Sequence, residues 1–413
     1  MSNDTNRPTT ETARSSGWQD TLPGQVAALL SDALAVNATD VHVDPVADDR
    51  YRVCQRVDGV IQTRAMLPVE EGQHVVNQIK VAAQFTPDRT FAPLENRIAL
   101  SDGEGHREVR VTILPTSRRE AVHLRILTPP EEVLEPTELG MSDDALAAIR
   151  DTLRRPRGLI LISGPTGSGK TMTLYSLASF LDLESTIAVS VEDPVEYDLP
   201  YIRQVPADPD HDLSMPQALR AILRMDPDIV MVGEIRDAQS ATTAVRAAAS
   251  GRFVLATLHA RDIALAVEAC HYYSVPRHLL GSTLRMASSQ VLVREVCGAC
   301  AEQREPNKEE RALFEAEGLN APSRLPVARG CEQCHGFGYK GRTGVFEVVG
   351  FDRALGELVT RGVAAGKIRD ALTERETPSL WHEALAKVAA GTTTLEEVRD
   401  IETQQSTYPD SAS

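Results

Sequence analysis

Apolar residues recur along this chain with two different periods, and the change from one to the other divides it. In "LPGQVAALLSDALAVNATD" the apolar positions Val26, Leu29, Leu30, Ala33 and Leu34 share one face at helical spacing, with Asn37 as the expected stop. Short alternating stretches come next: "DVHVDP", "YRVCQRVDGVIQ", "NRIALS", "REVRVTILP" and "AVHLRIL". They predict strands separated by turns, with one helix around "HVVNQIKVAA". Beyond the proline-rich "TPPEEVLEP" and the helical "SDDALAAIRDTLRRP" the texture changes. Wholly apolar runs now alternate with helical patterns: "GLILIS" (158–163), "TIAVSV" (186–191), "DIVMV" (228–232) and "RFVLATL" (252–258). Continuous apolar strands between helices predict a parallel sheet buried on both faces.

The residues just beyond each of these four runs carry the chemistry. In open α/β sheets ligands bind at the carboxyl ends of the strands. The first run opens into Gly164, Pro165, Thr166, Gly167, Ser168, Gly169, Lys170 and Thr171, which fits GxxxxGK[ST] between a strand and the helical "MTLYSLASFL". Glycines at this spacing let successive backbone N–H groups curl around a polyphosphate, helped by the helix N-terminus. Lys170 would reach the β- and γ-phosphates, and the Thr171 hydroxyl would ligate Mg²⁺. The second run leads to Glu192, Asp193 and Glu196, three carboxylates that repel one another unless a cation or arginines neutralise them. The third ends beside Glu234, where nucleotide cleavage needs an acidic group for water or metal. The fourth ends at His259.

Composition narrows the possibilities. The formal charge is −16 and aromatics make up 4 % of the chain, so a nucleic-acid surface is disfavoured. No basic segment followed by an apolar core opens the sequence, and no apolar run approaches the ~20 residues of a membrane helix. The chain is therefore read as cytosolic, where thiols stay reduced.

That reading bears on the cysteines. "CEQCH", residues 331–335, fits a c-type haem attachment signature, a redox dithiol or half of a zinc site. Haem attachment does not suit a reducing compartment. Cys297 and Cys300 form a second CxxC pair, 30 residues ahead of Cys331 and Cys334. Four thiolates so spaced suit structural Zn²⁺, and no thioredoxin-like unit surrounds either pair. Cys54 and Cys270 are expected as isolated core residues.

The stretches "GPTGSGKT", "VEDPVEY", "LRMDPDIVMVGEIRD" and "GRFVLATLH" resemble the Walker A, Asp, Walker B and His boxes of the type II secretion and type IV pilus-assembly ATPases, the GspE/PilB family. The likeness runs from about 25 to 403 and includes "ATDVHVDP", "RVDG", "LVREVCGAC", "GYKGRTGVFEVV" and "GTTTLEEV". The resemblance implies a homohexameric cytoplasmic motor that uses ATP, Mg²⁺ and Zn²⁺. It would be held peripherally at the inner membrane by a platform protein and a membrane-anchored adaptor, with no nucleic-acid partner. It further implies Glu196 and Glu234 as catalytic glutamates, His259 as the box histidine, and Arg110 and Arg125 as arginines that approach bound nucleotide. The tetracysteine module belongs to the assembly branch and is missing from the retraction ATPases. Two stretches depart from the family pattern: Arg252 stands where the His box usually has its first histidine, and "APLENR" stands for "PQDGR".

The expected organisation is a disordered leader (1–20), a small α+β, PAS-like domain (21–130), a linker (131–140) and a RecA-like P-loop NTPase core of α/β class (141–290). A zinc module (291–345), a helical region (346–405) and a polar tail (406–413) complete it. Nucleotide-dependent scaffolding without turnover and a DNA-traffic motor are the rival functions.

Overall fold

The computed structural model describes residues 21–406 apart from 48, 87–91, 103–104, 128–132, 155–156 and 209–212. The leader expected over 1–20, and the tail from 407 onward, lie outside the described residues. The chain divides between Pro130 and Glu131 into two compact units.

Unit 1 contains α1 (Gly24–Ala35), β1 (Ala38–Val46), β2 (Arg50–Val57), β3 (Val60–Pro68), α2 (Val69–Ala82), β4 (Leu94–Asp102), β5 (Gly105–Pro115) and β6 (Glu120–Leu127). The strands form one antiparallel sheet in the order β3-β2-β1-β6-β5-β4. Val41, Val43, Val53, Val111, Leu124 and Ile126 pack with Val26, Leu30, Val76 and Ile79 of the two helices in one core. Asn37, the expected stop of the first helix, has φ +53°. The stretch "YRVCQRVDGVIQ" is two strands rather than one, because Asp58 and Gly59 both take positive φ and close a hairpin. Between α2 and β6, Lys80 and Glu120 form a buried ion pair at 2.6 Å.

Unit 2 begins with α3 (Asp143–Leu153), β7 (Gly158–Ser163), α4 (Lys170–Ser179), β8 (Ala188–Glu192) and β9 (Ile202–Pro206). It continues through α5 (Met215–Ile222), β10 (Ile229–Ile235), α6 (Ala238–Ala249), β11 (Phe253–Leu258), α7 (Ile263–Tyr272), α8 (Arg277–Thr283) and β12 (Leu284–Val296). The remainder is β13 (Glu302–Arg304), α9 (Lys308–Ala316), β14 (Leu325–Val327), β15 (Tyr339–Gly350), α10 (Arg353–Arg361), α11 (Ala365–Thr373), α12 (Leu380–Ala389) and α13 (Leu395–Ser406). Its main sheet has the order β15-β12-β7-β11-β10-β8-β9, parallel except for β15. This is the α/β core that the four apolar runs predicted. Every residue of β7, β8 and β11 is buried, as a sheet with apolar cores on both faces requires.

The sheet is wider than those four runs. Strands β12 and β15 pair with each other over ten positions, and β12 adds to β7. Both strands run straight through the boundaries expected at 290/291 and 345/346. The cysteine segment between them is thus an excursion from the sheet rather than an appendage after it. Arg294 of β12 reaches Glu397 of α13 at 2.5 Å and lies 4.1 Å over the Tyr339 ring, tying the last helix to the same strands.

One buried carboxyl on β15 makes a pH prediction. Burial pushes Glu347 up to about 8, with Asp262 adding to the rise and Arg369 opposing it. Above its ordinary value of 4.5, the folded chain holds this proton when the unfolded chain has released it. The stability Glu347 lends is therefore full below the ordinary value and is lost as pH rises to about 8. We expect Glu347→Gln to flatten the decline in the urea midpoint of unit 2 across this window. An identical decline in the variant would show that other groups govern it.

Candidate functional site

At the carboxyl end of β7 the chain must turn with almost no side-chain volume. Residues 164–171 form that turn and feed directly into α4, whose first residue is Lys170. Gly164 lies so close to β12 that a Cβ there would stand 2.4 Å from the Gln290 carbonyl. Gly169 caps the helix at φ +83°, a conformation that favours glycine.

Lys170 is buried, and its Nζ donates to the carbonyls of Gly164 at 2.9 Å and Pro165 at 3.0 Å. Burial depresses its pKa from the usual lysine value; Glu234 pulls it back up and Arg236 adds to the depression. The same Nζ lies 3.3 Å from His259 Nδ1. Lysine only donates, so Nδ1 accepts and the ring proton sits on Nε2. The Gly164 carbonyl, 3.4 Å from Nδ1, already accepts from Lys170. His259 Nε2 faces Glu234 Oε1 at 2.5 Å. Arg236 Nε holds the other Glu234 oxygen, and Arg236 Nη1 reaches Asp193 at 2.9 Å. Lys170, His259, Glu234, Arg236 and Asp193 thus make one chain of alternating donors and acceptors across the ends of β7, β11, β10 and β8.

The carboxylates of "VEDPVEY" separate. Arg236 neutralises Asp193, as three clustered carboxylates require. Glu192 turns inward, 2 % exposed, and accepts from Tyr175 Oη, Ser190 Oγ and Gln204 Nε2. Burial first, then Glu192, pushes the Tyr175 phenol up, which keeps it a donor. Glu196 is exposed on the loop beyond β8. Arg252 lies at the amino end of β11, opposite the phosphate edge. It donates to Ser250 Oγ at 2.7 Å and pairs with Asp226 at 3.7 Å.

Residues missed by sequence reasoning are Arg236, Tyr175 and Gln290. Arg236 could have been noticed two positions after Glu234. Gln290 carries no local signal; its side chain donates to the Ser168 carbonyl at 2.7 Å from a strand more than a hundred residues on.

In unit 1, Arg110 and Arg125 stand directly opposite each other on β5 and β6. The register continues as Arg97, Arg110, Arg125, Asp40 and Arg56 across five neighbouring strands. Asp40 is 5 % exposed and accepts from His123 Nε2 at 2.8 Å and Arg125 Nε at 3.0 Å. Burial alone would raise its carboxyl; hydrogen bonds from His123, Thr39 and Arg125 outweigh that and hold it well below the usual range.

The four cysteine sulfurs of 297, 300, 331 and 334 lie within 4.8 Å of one another. Sulfurs at a zinc–sulfur distance of about 2.3 Å in a tetrahedron are about 3.8 Å apart. The 297–331, 300–334 and 331–334 pairs measure 3.9, 3.7 and 3.8 Å. Backbone N–H groups of Gly330, Cys331 and Gly338 point at these sulfurs at 3.1–3.3 Å, which favours thiolates. The donor set and its spacing fit a tetrahedral thiophilic cation. Cys54 and Cys270 are buried and free.

Comparison with known proteins identifies the family. The family described as "Type II/IV secretion system protein" matches residues 19–400. The type II secretion system protein E of Pseudomonas aeruginosa is 38 % identical over 372 residues, covering 90 % of this chain and 73 % of that protein. The type IV pilus assembly ATPase PilB of Myxococcus xanthus is 36 % identical over 376 residues, 90 % of this chain and 66 % of the relative. Among solved structures, the Legionella pneumophila ATPase DotB aligns with a TM-score of 0.66 over 93 % of this chain and 96 % of its own, at 17 % identity, a likeness of fold. Among the described residues no helix is long and apolar enough to cross a membrane. On the family match and the level of identity, the chain belongs to the type II/IV secretion system protein family of ATPases.

Proposed function

We propose that this ATPase hydrolyses ATP at the loop of residues 164–171 to drive assembly of pilin-like subunits in a type II secretion or type IV pilus machine. The observation that carries the reading is the Lys170–His259–Glu234 chain at the mouth of that loop. An ammonium buried among carbonyls and an imidazole would exchange them for phosphate oxygens. The backbone N–H groups of residues 166–170, at the start of α4, would bind the polyphosphate. Thr171 would hold Mg²⁺, which supplies charge neutralisation on the leaving phosphates. Glu234, once released from His259 and Arg236, would orient the attacking water. Glu192, buried and triply bonded, would brace the neighbouring strand. Glu196, exposed on its loop, would be the carboxylate that turns toward the metal or the water.

The arginine row of unit 1 suits an anion. No hydrogen bond or ion pair ends on Arg110 among the described residues, whereas Asp40 holds Arg125. We assign both to the phosphates of a nucleotide bound by a neighbouring subunit, which calls for an assembly, read here as a homohexamer. Four cysteines at tetrahedral spacing would hold one structural Zn²⁺. The surface around that module would meet a membrane platform protein, placing the ATPase in the cytoplasm at the inner membrane beside a membrane-anchored adaptor. Scaffolding without turnover is disfavoured by Lys170 and Glu234 standing together at one edge.

Three outcomes test this. Glu234→Gln keeps the shape and removes the charge, so ATP should bind within about twofold while hydrolysis falls by about 100-fold or more. Near-normal turnover would remove Glu234 from the chemistry. Specific ATPase activity should rise with protein concentration as rings form; a monomer with constant activity would overturn the shared-site reading. Elemental analysis should find one zinc per chain, lost in Cys331→Ser with nucleotide binding largely kept. Four titratable thiols and no zinc in the native protein would refute the metal assignment.

A further inference from the structure

Strand β12 runs parallel to β7 with Ser289 opposite Ser163, which sets Gln290 beside the first residue of the phosphate loop. Gln290 is 1 % exposed and meets the loop twice. Its backbone carbonyl backs Gly164, where any Cβ would be 2.4 Å away. Its side-chain Nε2 donates to the Ser168 carbonyl at 2.7 Å, at the loop's other end. One residue therefore grips both ends of the turn.

The grip has a direction. A trans peptide is planar, with its carbonyl and N–H pointing opposite ways. Holding the Ser168 carbonyl toward β12 sends the Gly169 N–H away from that strand. Gly169, at φ +83°, puts no side chain on its side of this peptide to limit rotation. Without Gln290 it could rotate and offer a phosphate its carbonyl, replacing attraction by repulsion. The side-chain Oε1 of Gln290 is also buried and makes no hydrogen bond among the described residues. Leaving such an atom unpaired is destabilising, a cost that an apolar residue of the same size would avoid.

We infer that Gln290 is a positioning residue for the phosphate cradle: it fixes the 168–169 peptide so that the Gly169 N–H faces bound polyphosphate. This rests on the reading of residues 164–171 as the ATP site, and it adds a residue that no part of that loop supplies. The interaction is made alike in ground and transition states, so its loss should appear in binding rather than in turnover.

The test uses the full chain with Mg-ATP. Gln290→Met keeps the volume and removes the donor. It should weaken ATP binding and raise KM about tenfold, while kcat at saturating ATP stays within about twofold and the thermal midpoint moves little. Gln290→Asn, whose amide is one methylene short of Ser168, should show the same split and serves if the methionine variant does not fold. Lys170→Ala, run beside them, should abolish binding. Unchanged ATP affinity in a folded Gln290 variant overturns the inference, as does a fall in kcat with KM unchanged. Should Lys170→Ala itself bind ATP normally, the ATP-site reading fails instead, and the two failures are told apart.

Discussion

A buried ammonium that, among the described residues, has no carboxylate directly upon it is the constraint around which unit 2 is arranged. On the proposed reading, Lys170 must be dry enough to grip phosphate strongly, yet must keep enough acceptors to stay charged before phosphate arrives. Two carbonyls of its own loop and the ring of His259 supply these acceptors. Glu234 acts one step removed, through the ring. A carboxylate bonded directly to Lys170 would compete with the incoming phosphate; one held at the far side of an imidazole raises the lysine's proton affinity without blocking the pocket. Arg236 then balances Glu234 and Asp193, and the acidic edge closes on itself.

Much of this was legible before the fold. The four apolar runs, the glycine spacing and the position of Glu234 and His259 just past strand ends place the site at one sheet edge, because strand polarity alone carries their side chains there. The cysteine spacing likewise announces four sulfurs at one point. What sequence could not give is which carboxylate of "VEDPVEY" turns inward. Glu192 and Glu196 look alike on paper. The choice depends on Tyr175, Ser190 and Gln204, three residues from different elements that converge on Glu192 only after the sheet forms. The arginine row of unit 1 was hidden for the same reason. Arg97, Arg110, Arg125 and Arg56 are scattered in sequence, and only antiparallel register puts them in line with Asp40.

The domain texture misled in one place. Around residue 290 the composition turns to cysteines, glycines and charged turns, and a boundary there is the natural reading. Pairing overrides texture: Ser288 and Ser289 of β12 still match Ile162 and Ser163, and Phe346 of β15 matches Gln290. A polar strand such as "ASSQVLVRE" reads poorly as core, and it carries a cost: Ser288 Oγ is buried with no hydrogen-bond partner among the described residues. Ser163 donates to the Ser288 carbonyl and Ser289 to the Arg261 carbonyl.

This continuity has a mechanical consequence. Cys297 follows β12 directly, and its N–H bonds the Gly338 carbonyl one residue before β15 begins. Both strands therefore leave the cysteine cluster and enter the sheet side by side, and β12 meets the phosphate loop seven residues before Cys297. Strands paired over ten positions shift together or not at all, because slipping by one residue would turn every side chain to the wrong face. Residues 164–169 are thus joined to the cysteine module by paired strands, with no loop between. The last helix rides on the same strands, through Glu397 on Arg294 and Thr394 on Tyr339. The loop of residues 164–171, the cysteine cluster and the C-terminal helix are in this sense attachments to one pair of strands.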